Sequence, residues 1–221
     1  FSYMKLILKL YFDFGLKRKN IYAFGLDLRI ISCLIINSEI YYEISDIMWL
    51  YKFGLTRKLL MYVDACLSKR SIQVIFTSER FYTRYYNFLN SNKILVLENK
   101  FKSYNKVFPL QTIKEDKIRI AYIGAFRYET IIKYLIEVCS ANIEKLDLRF
   151  YGDGPNRIIE EIKNSTISNA NIYYYGAFKN PDDLGSVYSE NNVNFAAYDN
   201  TLENEQVAMP NKFYESGFFN I

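Results

Sequence analysis

Short apolar runs and longer amphipathic stretches alternate along the chain. The apolar runs have the length and composition of strands in a parallel sheet that is covered on both faces. They lie at residues 27–37, 72–77, 94–97, 118–124, 146–152, 171–176 and 193–199. Helical periodicity occupies residues 56–70, 79–89, 129–141 and 157–164. This alternation predicts an α/β protein with two Rossmann-like, doubly wound units that bind ligands at the carboxyl ends of their strands.

The helix predicted over residues 56–70 has an apolar side that we expect to face a core. A helix at the surface of a globular protein turns its apolar stripe inward. The stripe in this helix consists of Leu59, Leu60, Val63, Cys66 and Leu67.

A polar stretch without clean periodicity, residues 99–117, divides the chain and contains Pro109. Such composition is typical of a linker. We predict a first domain over residues 1–105, a linker over 106–117 and a second domain over 118–221. Residues 1–110 contain 17 basic and 8 acidic side chains, whereas the remainder contains 11 and 16. The basic first half predicts an anionic partner, either a membrane surface or nucleic acid.

Composition excludes several chemistries. The sequence contains no histidine, which excludes Ser-His-Asp and Cys-His catalysis and histidine-ligated zinc. Cys33, Cys66 and Cys139 are widely spaced within apolar segments, which predicts buried reduced thiols in a cytoplasmic protein and no metal site. No apolar run reaches the ~18 residues of a transmembrane helix.

Two glycine-containing turns in the second half are candidates for anion binding. In "IAYIGAFRYET", Gly124 follows a strand and Arg127 precedes a helix. A glycine there lets the backbone approach a bound group, and an arginine can bind diphosphate oxygens. In "LRFYGDGPN", Gly152 and Gly154 follow another strand. Both are also consistent with ordinary tight turns, and the second alternatively leaves room for a base or ribose.

The segment "AMPNKFYES" is the most specific feature of the sequence. Pro210 favours a helix start, which places Asn211 and Lys212 in the first turn. The helix dipole disfavours a lysine there unless an anion is bound. Glu215 follows Lys212 by three residues, so the two side chains share one face. A surface ion pair is the alternative to a site in which Lys212 binds phosphate and Glu215 accepts from ribose hydroxyls.

The order of strand-Gly-x-x-Arg, "YGDGP", "YGAF…DDLGSVYSENNVNFAAYD" and "PNKFYES" resembles the donor domain of the large retaining family of GT-B glycosyltransferases that build bacterial surface polysaccharides. "IYYEISDI", "LSKRSIQVIFTSERF" and "ILVLEN" resemble part of its acceptor domain. The resemblance implies sugar transfer from a nucleotide-diphosphate sugar, without a metal or cofactor. It further implies that Arg127 and Lys212 stabilise the departing diphosphate, that Gly124, Gly152, Gly154 and Asn211 line the donor site, and that Glu215 binds the ribose.

The sequence departs from this family at several positions. Many members carry a second glutamate eight positions before the one matched by Glu215, where this chain has Val207. Ser45 stands where histidine is frequent, which leaves Glu43 and Asp46 as acceptor-side candidates or as structural capping groups. The family has elements before residue 27 and after Ile221 that this sequence does not match. We therefore expect a fragment with both domains incomplete, which would catalyse little by itself.

The leading hypothesis is a glycosyltransferase of capsular, exopolysaccharide or lipopolysaccharide synthesis. Its partners would be a nucleotide-sugar donor and a glycan or lipid-linked acceptor. It would be cytoplasmic, with the basic first half drawn to an anionic inner membrane face. The alternative is a non-catalytic nucleotide-sugar binding or assembly protein, because fold does not determine function. Nucleic-acid binding is disfavoured because the basic residues are scattered and match no recognised module.

Overall fold

The computed structural model of the chain describes Lys5, Lys9, Phe12 and residues 20–35, 38–98 and 116–219. The chain divides into two compact units, Phe1–Asn99 with Asn200–Met209 and Lys100–Asp199 with Pro210–Ile221. Each unit contains a four-stranded parallel sheet with helices packed on it. The predicted α/β fold class is confirmed.

The first unit has the strand order β1-β2-β3-β4. Its elements are β1 (Asn20–Phe24), α1 (Gly25–Ser32), β2 (Glu39–Ile44), a 3-10 helix (Met48–Tyr51), α2 (Gly54–Arg70), β3 (Gln73–Phe76), α3 (Glu79–Tyr85), a second 3-10 helix (Ser91–Lys93) and β4 (Ile94–Val96). Ser78 caps α3 by accepting a hydrogen bond from the Arg80 backbone N–H, as such residues do at helix starts. The strands predicted over 72–77 and 94–97 and the helix predicted over 56–70 are confirmed.

The strand predicted over residues 27–37 is wrong, because this stretch begins within helix α1. Leu26, Arg29 and Ser32 are buried at a spacing of three residues, and the buried Arg29 guanidinium donates to the Leu67 carbonyl oxygen at 3.0 Å. A continuous apolar run has no periodicity that separates a buried strand from a buried helix. The side of this helix that faces the core includes a charged side chain, Arg29. The hydropathy pattern could not predict that burial.

The cysteines are free thiols, but they are not uniformly buried. Cys139 is buried, Cys66 is half-buried and Cys33 is exposed. Burial raises the pKa of the Cys139 thiol. The prediction of burial is wrong for Cys33, because it follows the last turn of α1 and does not lie in a strand.

Helix α2 turns a carboxylate inward. Asp64 is buried, and its oxygens accept hydrogen bonds from the Tyr42 hydroxyl (2.9 Å), the Trp49 indole N–H (2.9 Å) and the Tyr86 hydroxyl. These three donors come from other elements of the unit, so together they determine which side of the helix faces the core. The inward position predicted for Leu59 is consequently wrong, because that side chain is exposed.

We predict that Asp64→Ala destabilises the first unit by about 3–5 kcal/mol, because three buried donors lose their acceptor. Asp64→Asn should cost less, since an amide retains one acceptor and a tyrosine hydroxyl can accept from its N–H group. Burial raises the pKa of Asp64 above its ordinary value. The ionised form is thus disfavoured by folding, and the stability contribution is present at low pH and lost as pH rises through the folded-state pKa.

Urea unfolding followed by the emission of Trp49, the one tryptophan of the chain, measures both effects. The pH-dependent loss should be absent in Asp64→Asn. Equal stability of Asp64→Ala and the parent protein would contradict this account of the carboxylate.

The second unit has the strand order β7-β6-β5-β8. Its elements are β5 (Ile118–Ile123), α4 (Glu129–Ser140), β6 (Leu146–Tyr151), α5 (Asn156–Ser168), β7 (Ile172–Gly176), α6 (Leu184–Ser189), β8 (Val193–Asn194) and α7 (Asn211–Phe219). The predicted strands and helices are confirmed in type. The strand predicted over 193–199 is shorter, with Val193–Asn194 alone paired to β5.

Two apolar clusters cover opposite faces of this sheet. Helices α4 and α5 pack on one face, around Tyr122 and Phe150, whereas α6 and the end of α7 pack on the other, around Ile123 and Tyr188. Strand order reverses between β5 and β8, so their carboxyl ends flank a topological switch point, where open α/β sheets bind ligands.

The linker predicted over 106–117 lies almost wholly outside the described residues and stays a prediction. Asn200–Met209 packs with the first unit, although the predicted second domain runs without interruption from 118 to 221. Among the described residues, no helix is long and apolar enough to span a membrane.

Candidate functional site

The loops after β5, β6 and β7 are joined at the carboxyl end of the second sheet. The Gly124 N–H donates to the Tyr151 carbonyl, and the Gly152 N–H donates to the Gly176 carbonyl, both at 2.7 Å. Gly152 has a φ of 143°, a conformation that other residues adopt only with strain. A Cβ placed on Gly152 would lie 1.9 Å from the Gly124 carbonyl oxygen. The absence of a side chain there allows the first two loops to meet.

Gly154 continues this contact between loops. A Cβ on Gly154 would lie 2.7 Å from the Phe126 Cβ, and Phe126 itself is buried. The space that side chains at Gly152 and Gly154 would take is therefore filled by the loop after β5. This favours the tight-turn interpretation of "YGDGP".

Lys212, in the first turn of α7, folds over the loop after β5. Its Nζ lies 5.2 Å from the centre of the buried Tyr122 ring, within the range of cation–π attraction. Its Cε and Nζ lie 3.0 and 3.1 Å from where a Cβ of Gly124 would stand. Gly124, with a φ of 107°, thus provides the space that the lysine occupies.

Partial burial lowers the pKa of Lys212, as does the nearby positive charge of Arg127, while Glu215 opposes the shift. Among the described residues, no carboxylate lies within ion-pair distance of this ammonium. A half-buried ammonium without an anionic partner, beside a second cation, favours the binding of an anion from solution.

Arg127 is exposed in the loop between β5 and α4. The positive charge of its guanidinium contributes to the lowered pKa of Lys212, so these two predicted site residues influence each other electrostatically.

Glu215 lies one turn after Lys212 on α7. Its Oε2 accepts a hydrogen bond from the Tyr188 hydroxyl at 2.7 Å. Tyr188 is buried and stacks on Phe219, with ring centres 4.9 Å apart. Burial and this hydrogen bond raise the pKa of Tyr188, so the phenol stays protonated and orients the carboxylate.

Asn211 is exposed at the start of α7. The helix is attached to the sheet further along, where the Asn194 side-chain amide donates to Ser216 Oγ at 2.7 Å. Tyr122, Tyr188 and Asn194 support the site without having been predicted. Aromatic residues within a strand or a short helix resemble core residues, so no sequence signal separated them from the core.

The two acceptor-side candidates lie in the first unit and carry structural contacts. Glu43 accepts hydrogen bonds from the Ser45 hydroxyl (2.8 Å) and from the Tyr22 hydroxyl. Asp46 accepts from the Asn204 side-chain amide at 2.7 Å, and Asn204 is buried. For Asp46 the geometry supports the structural interpretation, since it holds Asn200–Met209 on this unit.

The segment Asn200–Met209 is fastened to the first unit at three further points. Glu203 forms a bidentate ion pair with Arg57, in which the two guanidinium nitrogens lie 2.8 and 2.9 Å from the two carboxylate oxygens. The Val207 side chain is buried in the core of that unit, and its carbonyl accepts from Ser78 Oγ at 2.6 Å. Val207 is thus a packing residue.

Among the residues that the structure describes, no group of His, Cys, Asp or Glu is arranged to hold a metal ion. No family model matches the sequence, and no curated protein matches it. Solved structures do resemble the chain.

One is Anabaena HepE, crystallised in complex with UDP and glucose, with a TM-score of 0.57 and 15% identity over 84% of this chain and 53% of that one. A second is TarM of S. aureus, with a TM-score of 0.53 and 15% identity over 76% of this chain and 35% of that one. A third is S. aureus MnaA, solved with UDP, with a TM-score of 0.50 and 11% identity over 80% and 52%. The chain spans 35% to 53% of the length of these proteins. At this level of identity the likeness shows the fold: the chain has the α/β fold of GT-B proteins.

Proposed function

We propose that the second unit binds a nucleotide-diphosphate sugar and that the chain is part of a glycosyltransferase. The observation that carries the proposal is the position of Lys212. Its ammonium lies against Gly124 at the topological switch point, in the first turn of α7, and its pKa is lowered in part by the positive charge of Arg127. Two cations and a helix N-terminus together favour a diphosphate.

The proposed reaction moves a sugar from the diphosphate to an acceptor hydroxyl. The bond from the anomeric carbon to the diphosphate oxygen breaks, and a bond to the acceptor oxygen forms. The hydroxyl proton leaves to the diphosphate or to solvent. Negative charge develops on the diphosphate, so Lys212 and Arg127 would stabilise it as it departs, without a metal ion.

UDP in the structures of HepE and MnaA supports a uridine nucleotide as the first ligand to test. The sequence resemblance supports a glycan or lipid-linked acceptor, hexosyl transfer and a role in surface-polysaccharide synthesis. We propose that the protein works in the cytoplasm on such an acceptor.

Calorimetry with UDP-, GDP- and ADP-sugars tests donor binding by this chain. A product assay, on the 221-residue chain and on the full reading frame from the source genome, tests transfer, which should persist in EDTA. Tight donor binding without any product from the full reading frame would favour the alternative, a non-catalytic nucleotide-sugar binding protein. Absence of binding to all three sugars would reject both.

We predict that Glu215→Gln weakens UDP binding by about 10- to 100-fold, because hydrogen bonds to a charged acceptor contribute about 1.5–3 kcal/mol. The loss should depend on the ribose. The parent protein should bind UDP more tightly than 2′,3′-dideoxy-UDP, whereas Glu215→Gln should bind the two nearly equally.

Glu144→Gln is the matched control, because Glu144 is exposed before β6, at the opposite end of the sheet. It should bind both nucleotides like the parent protein. If Glu215→Gln retained the full preference for UDP over its dideoxy analogue, the assignment of Glu215 to the ribose would be wrong.

A further inference from the structure

Strand β7 forms one edge of the second sheet and lacks the charged side chains and prolines that commonly protect such an edge. Among the described residues, no strand pairs with its outer side. Charged side chains and prolines on natural edge strands hinder pairing with another chain. Residues 164–178, which include the whole of β7, contain neither. The outer side of β7 is therefore suited to pairing with a further strand.

The backbone of β7 presents hydrogen-bonding groups on this outer side. The pairing of β7 with β6 is regular from Ile172 to Tyr174. The carbonyl oxygen of Asn171 accepts a hydrogen bond from the Leu148 N–H on β6 at 2.8 Å. Because alternate residues of an edge strand direct their backbone groups to the neighbouring strand, Tyr173 also faces β6. The backbone N–H and carbonyl groups of Tyr174 consequently point away from the sheet.

Two tyrosines lie beside these backbone groups on one face of the sheet. Tyr173 and Tyr175 are 37% and 52% exposed, and their ring centres are 6.5 Å apart. The Tyr175 ring is stacked on the buried Tyr151 ring, with centres 4.6 Å apart. The Arg149 guanidinium lies 5.7 Å from the centre of the Tyr173 ring. Both exposed rings are thus held in place by their own unit, which reduces the entropy that they would lose on binding a partner.

We propose that β7 pairs with β7 of a second copy of this chain, antiparallel about a twofold axis at Tyr174. The Tyr174 N–H of each copy would donate to the Tyr174 carbonyl oxygen of the other. This axis places Tyr173 of each copy opposite Tyr175 of the other, on the same face, and such aromatic cross-strand pairs stabilise a sheet. The two sheets would join into one of eight strands, which is within the usual size of open sheets.

The absence of charge favours a second copy over other partners. A twofold interface brings each surface against itself, so charges of one sign would repel across it. Residues 164–178 carry no charge and avoid this repulsion. A nucleic acid or an anionic lipid surface would instead require basic side chains on the strand. The proposed pairing uses none of the residues assigned to the donor, so it does not depend on the proposed function.

Sedimentation equilibrium of the 221-residue chain tests the proposal. The parent chain should form a dimer as its concentration rises. The double variant Tyr173→Lys, Tyr175→Lys should raise the dimer Kd by about 100-fold or more at low salt, because every tyrosine pair becomes a pair of like charges. The double variant Tyr173→Lys, Tyr175→Glu should dimerise again, because the proposed register then sets a lysine opposite a glutamate in both pairs.

Tyr134→Lys is the matched control, since Tyr134 is 64% exposed on helix α4 and lies outside the edge strand. It should dimerise like the parent chain. Circular dichroism verifies that each variant is folded. Hydrogen exchange tests the pairing without any substitution, because the Tyr174 amide should exchange more slowly at concentrations at which the dimer forms.

A parent chain that stays monomeric at its highest soluble concentration would overturn the proposal, as would a dilysine variant that dimerises like the parent. Failure of the lysine–glutamate variant to dimerise would reject the register and the pairing with it. Unchanged exchange of the Tyr174 amide in a dimeric parent chain would show that the copies associate through another surface, whatever the variants do.

Discussion

Lys212→Ala is expected to weaken UDP binding by about 100-fold, the effect of removing one charge-assisted contact to a diphosphate in a partly desolvated site. The ammonium is half-buried against Gly124 and Tyr122 and has no carboxylate partner among the described residues. Partial burial of the charged Lys212 side chain therefore costs desolvation free energy, which the binding of an anion would offset. Calorimetry with UDP measures the loss.

Lys145→Ala is the control, because Lys145 is exposed before β6, at the end of the sheet away from the site. It should bind UDP like the parent protein. Lys212→Arg should recover little, because a guanidinium is bulkier than an ammonium and the Lys212 Cε and Nζ already lie 3.0 and 3.1 Å from where a Cβ of Gly124 would stand. Full affinity of Lys212→Ala would refute the site.

The same lysine sets a pH dependence. Its pKa in the free protein is lowered by burial, and a bound diphosphate would raise it. UDP binding should therefore be strongest below the free-protein pKa and should decline as pH rises through it, reaching its floor above the pKa of the complex. The decline should begin at a lower pH than the ordinary lysine pKa would produce. In Lys212→Ala this alkaline decline should disappear.

Gly152→Ala is expected to destabilise the second unit by about 3 kcal/mol or more, because the added methyl group combines backbone strain with a collision. The Cβ would lie 1.9 Å from the Gly124 carbonyl oxygen, which is backbone and cannot rotate away. The loops after β5 and β6 would separate, and Gly124 would move from beneath Lys212. UDP binding should be lost together with stability.

Gly217→Ala is the matched control, since Gly217 lies in α7 and, its chain neighbours and the backbone of its own helix apart, no atom lies within 4 Å of the position of its Cβ. It should leave stability unchanged or raise it by up to about 1 kcal/mol through helix propensity. Circular dichroism follows the unfolding of both units, and Trp49 emission reports the first unit separately. A Gly152→Ala protein as stable as the parent would show that the loops are not in the contact described.

The predicted α/β fold class is confirmed. It could be predicted because strands and amphipathic helices differ in the spacing of their apolar residues along the sequence. The segment 27–37 is the exception. Its apolar residues are consistent with both a buried strand and a buried helix. The helix is stabilised by the buried Arg29 side chain, which donates a hydrogen bond to the Leu67 carbonyl oxygen on α2. A partner 38 residues away along the chain is not visible to a local pattern.

The sequence could predict those residues of the candidate donor site whose role depends on the local backbone conformation. A proline before Lys212 indicates a helix start, and glycines after strands indicate turns, so Gly124, Gly152 and Lys212 could be chosen from their local surroundings. Their mutual contact could not, since it depends on how closely two loops approach. Tyr188, which orients Glu215, could not be chosen either. A buried tyrosine looks the same in the sequence whether or not its hydroxyl donates a hydrogen bond to a site residue.

The sequence by itself determined the alternation of strands and helices, the helix start at Pro210 and the basic character of the first half, because each depends on residues close together along the chain. Only the tertiary structure decided that Asp64 faces inward and Leu59 outward, that Lys212 lies over Gly124, and that Asn200–Met209 packs on the first unit. Each of these depends on a hydrogen bond or a close approach between residues far apart in sequence, and such contacts override local preference once buried polar groups must find partners.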